Sequence, residues 1–225
     1  MKFVEYPDAD MMMMDLANTL AGDLNSALMT HDRASFAVPG GSTPCPIFDV
    51  LSAIHLDWDR VDILLTDERW VPGDHSRSNT RMLYERLLID NAARANYLSL
   101  YTGDPSPEEG ATALIDQVDQ IRPVSVLLLG MGADMHCASL FPGSDNLAGA
   151  LDDRAPAVMA MHGGGIPEPR VTLTAPVLKG ALSKHLVITG PEKRQALDRA
   201  VHLADPLQAP ISAVLPGMTV HWAER

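Results

Sequence analysis

The chain has 225 residues and a formal net charge of -12 at pH 7, and 46% of its residues are hydrophobic. That length suits one α/β domain with a sizeable core, in which roughly 70% of the unfolded chain's surface is buried. The negative charge argues against nucleic acid and against an anionic membrane surface as partners, so an anionic ligand requires a local group of amides and basic residues.

The two cysteines and the N-terminal stretch predict a cytoplasmic location. Cys45 and Cys137 lack CxxC spacing and are too few for a disulfide scaffold, so we expect free thiols in a reducing compartment. The stretch MKFVEYPDAD is acidic and lacks a secretory h-region, and no apolar run reaches the roughly 18 residues that span a bilayer. We therefore expect a soluble protein with no membrane partner.

Apolar runs of strand length alternate with helical patterns along the chain. In chain order, the pattern first predicts a helix over about 9–31, a strand over 34–38, a helix entered through Pro44 or Pro46, a strand near 60–65 and a helix near 79–88. It then predicts a strand at 97–100, a helix at 107–121, and strands at 124–129, 170–174 and 185–189. A helix at 191–203 and a terminal strand over 218–222 complete the prediction. This alternation predicts an α/β fold with a mostly parallel, doubly wound, Rossmann-like sheet and helices on both faces. No linker or repeat is visible, so we expect a single domain over residues 1–225.

Ligands of such sheets bind beyond the carboxyl ends of the strands. Four loops at those ends hold nearly all of the unusual chemistry, at residues 39–44, 66–79, 130–143 and 189–193. We therefore expect a binding site where these loops meet.

The first of these loops, PGGSTP, follows a strand and opens a helix. Gly40 and Gly41 allow close backbone approach to a ligand, and Ser42 and Thr43 add hydroxyl donors beside helix-start amides that favour an anion. A phosphate site is the functional interpretation. The alternative is a Gly-Gly turn with a Ser or Thr cap and no ligand. The motif is neither a Walker loop nor GxGxxG, so it does not indicate a nucleoside triphosphate or a dinucleotide.

The second loop begins with charges directly at the end of an apolar strand. Asp67, Glu68 and Arg69 are poor packing residues at that position, which favours a functional role over a surface Asp-Arg pair. Asp74, His75 and Asn79 are candidate caps of the following helix.

The third loop, within LLLGMGADMHCASLFPG, places Asp134 and His136 two residues apart after a glycine-rich turn. The pair suits a metal, a proton-transfer base, or a simple turn with His136 at a helix start. No HExxH pattern or cysteine pair supplies further ligands, so we expect no metal site. Proton transfer is favoured, since an imidazole is readily tuned to act as a base at neutral pH.

Two basic residues lie at a strand end and a helix start. Arg170 begins the run VTLT, and Lys193 follows Thr189-Gly190. Each alone is typical of a surface charge, but together with the PGGSTP amides they are suited to hold a phosphate dianion. The sequence HGGG at 162–165 has no accompanying GxSxG elbow, and we interpret it as a flexible loop. Neither cysteine is expected to be a nucleophile.

These loops, in the order GGSTP, TDERWVP with DHSRSN, GMGADMHCASLFPG, and RVTLT followed by TGPEK, resemble the 6-phosphogluconolactonase family. The resemblance runs from about residue 35 to 195 and extends to the related glucosamine-6-phosphate deaminases. It implies the α/β fold of these sugar-phosphate isomerases and deaminases, hydrolysis of 6-phospho-D-glucono-1,5-lactone to 6-phosphogluconate in the pentose phosphate pathway, and no organic cofactor. The implied partner is a small sugar-phosphate lactone.

Carried over residue by residue, the family's central histidine falls on His136 and its aspartate on Asp134. The remaining positions implied by the resemblance are the phosphate loop Gly40, Gly41, Ser42 and Thr43, the residues Asp67 and Arg69 of the DER motif, and the phosphate-side Arg170 and Lys193. The family usually has glycine where this chain has Met135, which we expect to be strained if the position requires a positive φ.

The resemblance implies a mechanism in which His136 activates water and Asp134 fixes its tautomer, while Arg69 binds the substrate or the oxyanion. The nearest alternative is the deaminase-isomerase, whose pattern carries a glutamate five residues after the histidine, where this chain has Phe141. A non-catalytic sugar-phosphate sensor is a further alternative, although no DNA-binding segment is visible. The chain is expected to be a monomer or a small homo-oligomer.

Overall fold

The elements of the protein follow the predicted order, with additions between them. A computed structural model describes residues 1–224. Its strands are β1 Lys2–Tyr6, β2 Ala34–Val38, β3 Val61–Leu65, β4 Asp67–Arg69, β5 Asn96–Leu98, β6 Val126–Leu129, β7 Val158–Met161, β8 Arg170–Leu173, β9 Ser183–Thr189 and β10 Thr219–Ala223. Its α-helices are α1 Ala9–Thr30, α2 Cys45–Ala53, α3 Asn79–Arg86, α4 Pro107–Gln120, α5 Leu147–Leu151, α6 Ala175–Lys179 and α7 Gly190–Leu203.

A parallel sheet of seven strands forms the centre of the fold, in the order β1-β10-β9-β6-β2-β3-β5. The central strands β2, β3 and β6 are buried along their whole length. Continuous burial of both strand faces is what parallel sheets covered by helices show. The predicted mostly parallel α/β sheet is therefore confirmed.

Helices cover both faces of this sheet, as predicted. Successive side chains of a strand point to opposite faces. On β10, His221 contacts Tyr6, which bonds Asp15 of α1, whereas the next residue, Trp222, donates its indole N–H to the carbonyl of Gly190 at the start of α7. Helices α1 and α7 thus lie on opposite sides of the sheet.

The strand order reverses between β2 and β6. The chain runs outward from β2 to β3 and β5, then returns to place β6 on the other side of β2. Loops leaving the carboxyl ends of β2 and β6 therefore diverge and leave a crevice. The neighbouring strands β9, β6, β2 and β3 carry the four loops singled out from the sequence, so the topology brings these loops to one edge of the sheet.

A second, antiparallel sheet of three strands has the order β4-β8-β7. The segment predicted as a strand over 170–174 belongs here, and the segment 66–79, predicted as a loop, contributes β4. Strands β1, β4 and β7 and helices α5 and α6 were not predicted. β4 has only three residues, and all three are charged, so no apolar alternation marks it.

Buried apolar side chains from both sheets form one continuous hydrophobic cluster, which includes Phe36 of β2 and Val171 of β8. The single-domain organisation stays a prediction. Within residues 1–224, none of the helices combines the length and the apolarity that crossing a membrane requires.

A chain of hydrogen bonds between buried and exposed polar groups crosses the β1-β10-β9 side of the sheet. The Tyr6 hydroxyl donates to Asp15 at 2.7 Å and lies 2.9 Å from Nδ1 of His221. Nε2 of His221 lies 3.0 Å from Nδ1 of His185, whose Nε2 lies 2.9 Å from Asp23. Because the Tyr6 hydrogen goes to Asp15, a neutral His221 donates its Nδ1–H to the Tyr6 oxygen and can accept at Nε2 from Nδ1–H of His185.

Burial, reinforced by the neighbouring His185, lowers the pKa of His221 from its ordinary value of 6.5 to about 4. The unfolded chain then binds a proton at His221 before the folded chain does, so this group destabilises the fold as the pH falls from 6.5 to 4. We expect a loss of about 3 kcal/mol of unfolding free energy from this group across that window. Urea unfolding of His221→Gln should show an acid slope shallower by that amount.

The matched control is His55→Gln, which changes an exposed histidine and should keep the wild-type slope. If His221→Gln and the wild-type protein lose stability in parallel between pH 6.5 and 4, the low pKa of His221 is wrong.

Candidate active site

The loop 39–44 leaves β2 and forms the floor of the crevice. Gly41 has φ +84°, in the region that glycine adopts at little cost. At Gly40, a Cβ atom would lie 2.2 Å from the side chain of Asn79, so only glycine fits. The side-chain amide of Asn79 donates to the carbonyl of Asp67 at 3.0 Å, which ties the start of α3 to β4.

The loop after β6 carries the Asp134–His136 pair. At Gly132, a Cβ atom would lie 2.3 Å from both side chains, so this glycine leaves the space that the pair occupies. Met135, between the pair, has φ +68°, which confirms the expected strain at the position where the family usually has glycine. The backbone of Met135 is held from both sides, because its N–H donates to Gly132 and its carbonyl accepts from Ile211.

The Asp134 carboxylate lies 2.5 Å from Nδ1 of His136 and also accepts from the backbone N–H of His136 at 3.3 Å. An ionised carboxylate only accepts, so Nδ1 carries the hydrogen and Nε2 carries the free lone pair. The ring of Phe141 stacks on the imidazole, with centroids 4.1 Å apart. Contacts at its edge and on its face therefore fix the orientation of the His136 ring.

Two arginines lie side by side in the second sheet, because Arg69 of β4 is the register partner of Arg170 of β8. The Nε atoms of both are buried and have no hydrogen-bond partner among residues 1–224. Burial, and next the charge of Arg170, lowers the pKa of Arg69. Two neighbouring guanidinium groups with unused buried donors are suited to bind an anion.

Asp67 partly balances these cations. Its carboxylate accepts from the Ser139 hydroxyl at 2.5 Å and lies 3.4 Å from Nη1 of Arg170, and both charged side chains are almost fully buried. Ser139 was not singled out from the sequence. Asp67 therefore contacts both Arg170 and the loop that carries His136.

Glu68 is fully buried, and its carboxylate joins the end of β4 to the start of α3 through hydrogen bonds. Its carboxylate accepts from five donors, which are Arg69 N, Asn79 N, Ser78 Oγ, Thr80 N and Thr80 Oγ1, at 2.7–3.0 Å. Arg69 donates Nη1 to the carbonyl of Arg77 in the loop between β4 and α3. Ser78 caps α3, rather than Asp74, His75 or Asn79, which were the predicted candidates. Glu68 thus fixes the backbone of Arg69 and Asn79, and with it the positions of their side chains.

A cavity of about 310 Å³ lies where these loops meet, within the range of small-molecule sites. Nine of the ten predicted site residues line it: Gly40, Gly41, Ser42, Thr43, Asp67, Arg69, His136, Arg170 and Lys193. Asp134 bonds to His136 from outside the lining. Burial lowers the pKa of Lys193. Asn79, predicted only as a possible cap, also lines the cavity.

A larger groove of about 540 Å³ lies at the amino ends of β2 and β3. There Arg33 makes two hydrogen bonds to Asp62, so this cation is already paired. Among residues 1–224, none of the buried donors without a partner lies in this groove, whereas two lie at the smaller cavity. We therefore place the site at the carboxyl edge.

Neither cysteine is suited to act as a thiolate in this site. Burial raises the pKa of Cys137 to about 12 and also raises the pKa of Cys45, which disfavours thiolate chemistry at neutral pH. Within residues 1–224, no group of three or more His, Cys, Asp or Glu side chains is arranged to hold a metal ion.

We expect Glu68→Gln to destabilise the fold by about 1–3 kcal/mol, because an amide group in place of either oxygen leaves at least one buried backbone N–H unsatisfied. Urea unfolding at pH 7 measures this loss. The control Glu85→Gln, on the exposed side of α3, should change stability by roughly 0.5 kcal/mol or less. Equal unfolding midpoints for the two variants would show that Glu68 does not hold this loop.

The chain is similar to a family of sugar-phosphate enzymes along almost its whole length. The family model described as glucosamine-6-phosphate isomerases/6-phosphogluconolactonase matches residues 7–222. The 6-phosphogluconolactonase of Pseudomonas aeruginosa is 38% identical over 210 residues, covering 92% of this chain and 88% of that protein. The 6-phosphogluconolactonase of Rhizobium meliloti is 38% identical over 214 residues, covering 92% of each.

A solved structure agrees with these sequence relatives. The crystal structure of a 6-phosphogluconolactonase from Shewanella baltica matches with a TM-score of 0.95 and 32% identity, covering 99% of this chain and 97% of that chain. The shared sequence and fold both extend through the loops that form the cavity. This chain therefore belongs to the glucosamine-6-phosphate isomerase/6-phosphogluconolactonase family, on its 6-phosphogluconolactonase branch.

Proposed function

We propose that this protein hydrolyses 6-phospho-D-glucono-1,5-lactone to 6-phosphogluconate, a step of the oxidative pentose phosphate pathway. One observation carries the proposal: the cavity that receives the imidazole of His136, with Nδ1 engaged by Asp134, also receives three basic side chains. A base and a dianion site in one cavity match a substrate that joins a lactone to a phosphate.

The phosphate is held by the basic side of the cavity. Arg170 and Lys193 supply the charge, and the loop from Gly40 to Thr43 supplies amides and hydroxyls beside the start of α2. The unpaired buried Nε of Arg170 supports this assignment, since a phosphate oxygen gives it an acceptor. Asp67 acts through Arg170, because its carboxylate contacts Nη1 and holds the guanidinium group in place.

The lactone carbonyl then lies near His136. Nε2 removes a proton from water as the water oxygen attacks C1, and Asp134 stabilises the imidazolium that forms. The tetrahedral intermediate collapses as the bond between C1 and the ring oxygen breaks. The leaving ring oxygen takes the proton from His136 and becomes the free hydroxyl group of the product. Arg69 donates to the oxygens of the substrate or of this intermediate.

The deaminase-isomerase alternative requires a second carboxylate near the histidine. The corresponding position is Phe141, whose ring occupies the face of His136. Hydrolysis with a single imidazole base is therefore favoured over deamination. We further propose a cytoplasmic enzyme that works without an organic cofactor, as a monomer or a small homo-oligomer.

We expect His136→Ala to lower kcat by about 10²- to 10⁴-fold, which is the usual contribution of a general base, and to keep its fold. The assay couples 6-phosphogluconate formation to its dehydrogenase and subtracts spontaneous lactone hydrolysis. His55→Ala is the matched control, because His55 is exposed and does not line the cavity. Wild-type turnover by His136→Ala would exclude this histidine as the base.

We expect Lys193→Met to raise KM about 10- to 100-fold with a much smaller change in kcat, because it removes a charge-assisted bond that is present throughout the reaction. The apparent Ki of inorganic phosphate should rise in step. Lys179→Met, at an exposed ion pair with Asp153, should leave both constants unchanged. A fall in kcat with an unchanged phosphate Ki would contradict the phosphate role of Lys193.

A further inference from the structure

Phe141 is the one aromatic side chain in contact with His136, among the ring pairs of residues 1–224. It is 8% exposed, and its ring is stacked on the imidazole with 29° between the planes. The guanidinium carbon of Arg170 lies 5.5 Å from the centroid of the same ring. The phenyl group thus touches both the proposed base and the proposed phosphate ligand.

The backbone fixes the place of this ring. The carbonyl of Phe141 accepts from both the backbone N–H and the hydroxyl of Ser144, at 3.1 and 2.8 Å. At Gly164, a Cβ atom would lie 3.2 Å from Cβ of Phe141, so the glycine loop after β7 packs closely over it. The backbone that carries the ring is therefore held by both segments.

The charge of His136 changes during the reaction, whereas that of Arg170 does not. The face of a phenyl ring carries negative charge density and attracts a cation that lies over it. This attraction is weak for the neutral imidazole and stronger for the imidazolium. Interactions that strengthen only in the transition state raise kcat rather than lower KM.

Other charged groups also act on the imidazole. The carboxylate of Asp134 bonds to Nδ1 of His136, and the carboxylate of Asp67 lines the same cavity; both attract positive charge there. Three cations that line the same cavity oppose it: Arg69, Arg170 and Lys193. A stabilising group that is itself uncharged is therefore useful on the face of the imidazole, since a carboxylate at that position would compete for the proton of the attacking water.

We propose that Phe141 is a positioning residue for the hydrolysis. The face of its ring keeps the stacked His136 imidazole in its orientation and stabilises the protonated imidazole more than the neutral one. This inference rests on the proposed function, because it assumes that His136 takes up a proton during turnover. It also gives a physical role to the position at which the deaminase pattern has a glutamate.

The test compares Phe141→Leu, which keeps an apolar side chain without a π face, with Phe141→Tyr, which keeps the face. In Phe141→Leu we expect kcat to fall about 3- to 30-fold, and the pH midpoint of the acid limb to move down by about 0.5 to 1.5 units. Phe141→Tyr should stay within about threefold of the wild-type kcat with an unchanged midpoint. Phe3→Leu, which removes a phenyl ring from another arginine, should change neither.

An NMR titration of the His136 ring in the free protein measures the same midpoint without turnover, and the His136→Asn spectrum assigns the signal. A lower midpoint in Phe141→Leu supports the proposal. A fall in kcat with an unchanged midpoint would show that Phe141 only fills space, and would overturn it. If Phe141→Leu fails to fold, Phe141→Met gives the same comparison with a more adaptable side chain.

The two proposals fail separately. Absence of lactonase activity in the folded wild-type protein overturns the proposed function. Wild-type activity that disappears in His136→Ala, combined with wild-type behaviour of Phe141→Leu in both kcat and midpoint, overturns only the role of Phe141.

Discussion

The reversal of strand order between β2 and β6 is the constraint on which the site depends. It opens a crevice at the carboxyl edge of a sheet that is otherwise closed by helices on both faces. The loops of β9, β6, β2 and β3 enter that crevice from adjacent strands, so residues as distant in sequence as Gly40 and Lys193 line one cavity. The parallel sheet supplies the rigid frame, and the loops supply the chemistry.

Inside the cavity, like charges are held together against their repulsion. Arg69 and Arg170 are neighbours because β4 and β8 pair in antiparallel register, and this second sheet exists in addition to the main one. Two buried carboxylates make the arrangement possible. Asp67 contacts Arg170 directly, while Glu68 ties down the loop whose carbonyl accepts from Arg69. The result is a local cationic site in a chain whose net charge is -12.

Much of the frame follows from the sequence because its signal is local. The runs that form β2, β3 and β6 are mostly apolar, and a glycine or a charged residue follows each within two residues. Both the strands and the loops after them were therefore predictable. The Asp134–His136 pair was predictable as a candidate site because the two residues lie two apart in the loop that follows such a run. The strain at Met135 was also predictable, since the chain departs there from the glycine that the family usually carries.

The parts that the sequence did not predict depend on contacts between distant segments. β4 has three residues and no apolar alternation, and only its pairing with β8 makes it a strand. The carboxylate of Glu68 is buried where five donors from β4 and the start of α3 converge on it, and no spacing rule reveals that convergence. The stacking of Phe141 on His136 likewise becomes visible only in three dimensions.

The central claim is that one cavity holds the phosphate at its basic side and the reacting carbon at His136. A crystal structure of the protein with bound 6-phosphogluconate tests it most directly. We expect the phosphate against Arg170, Lys193 and the loop from Gly40 to Thr43, with C1 about 3–4 Å from Nε2 of His136. A ligand bound in the opposite direction, with its phosphate at His136, would contradict the claim.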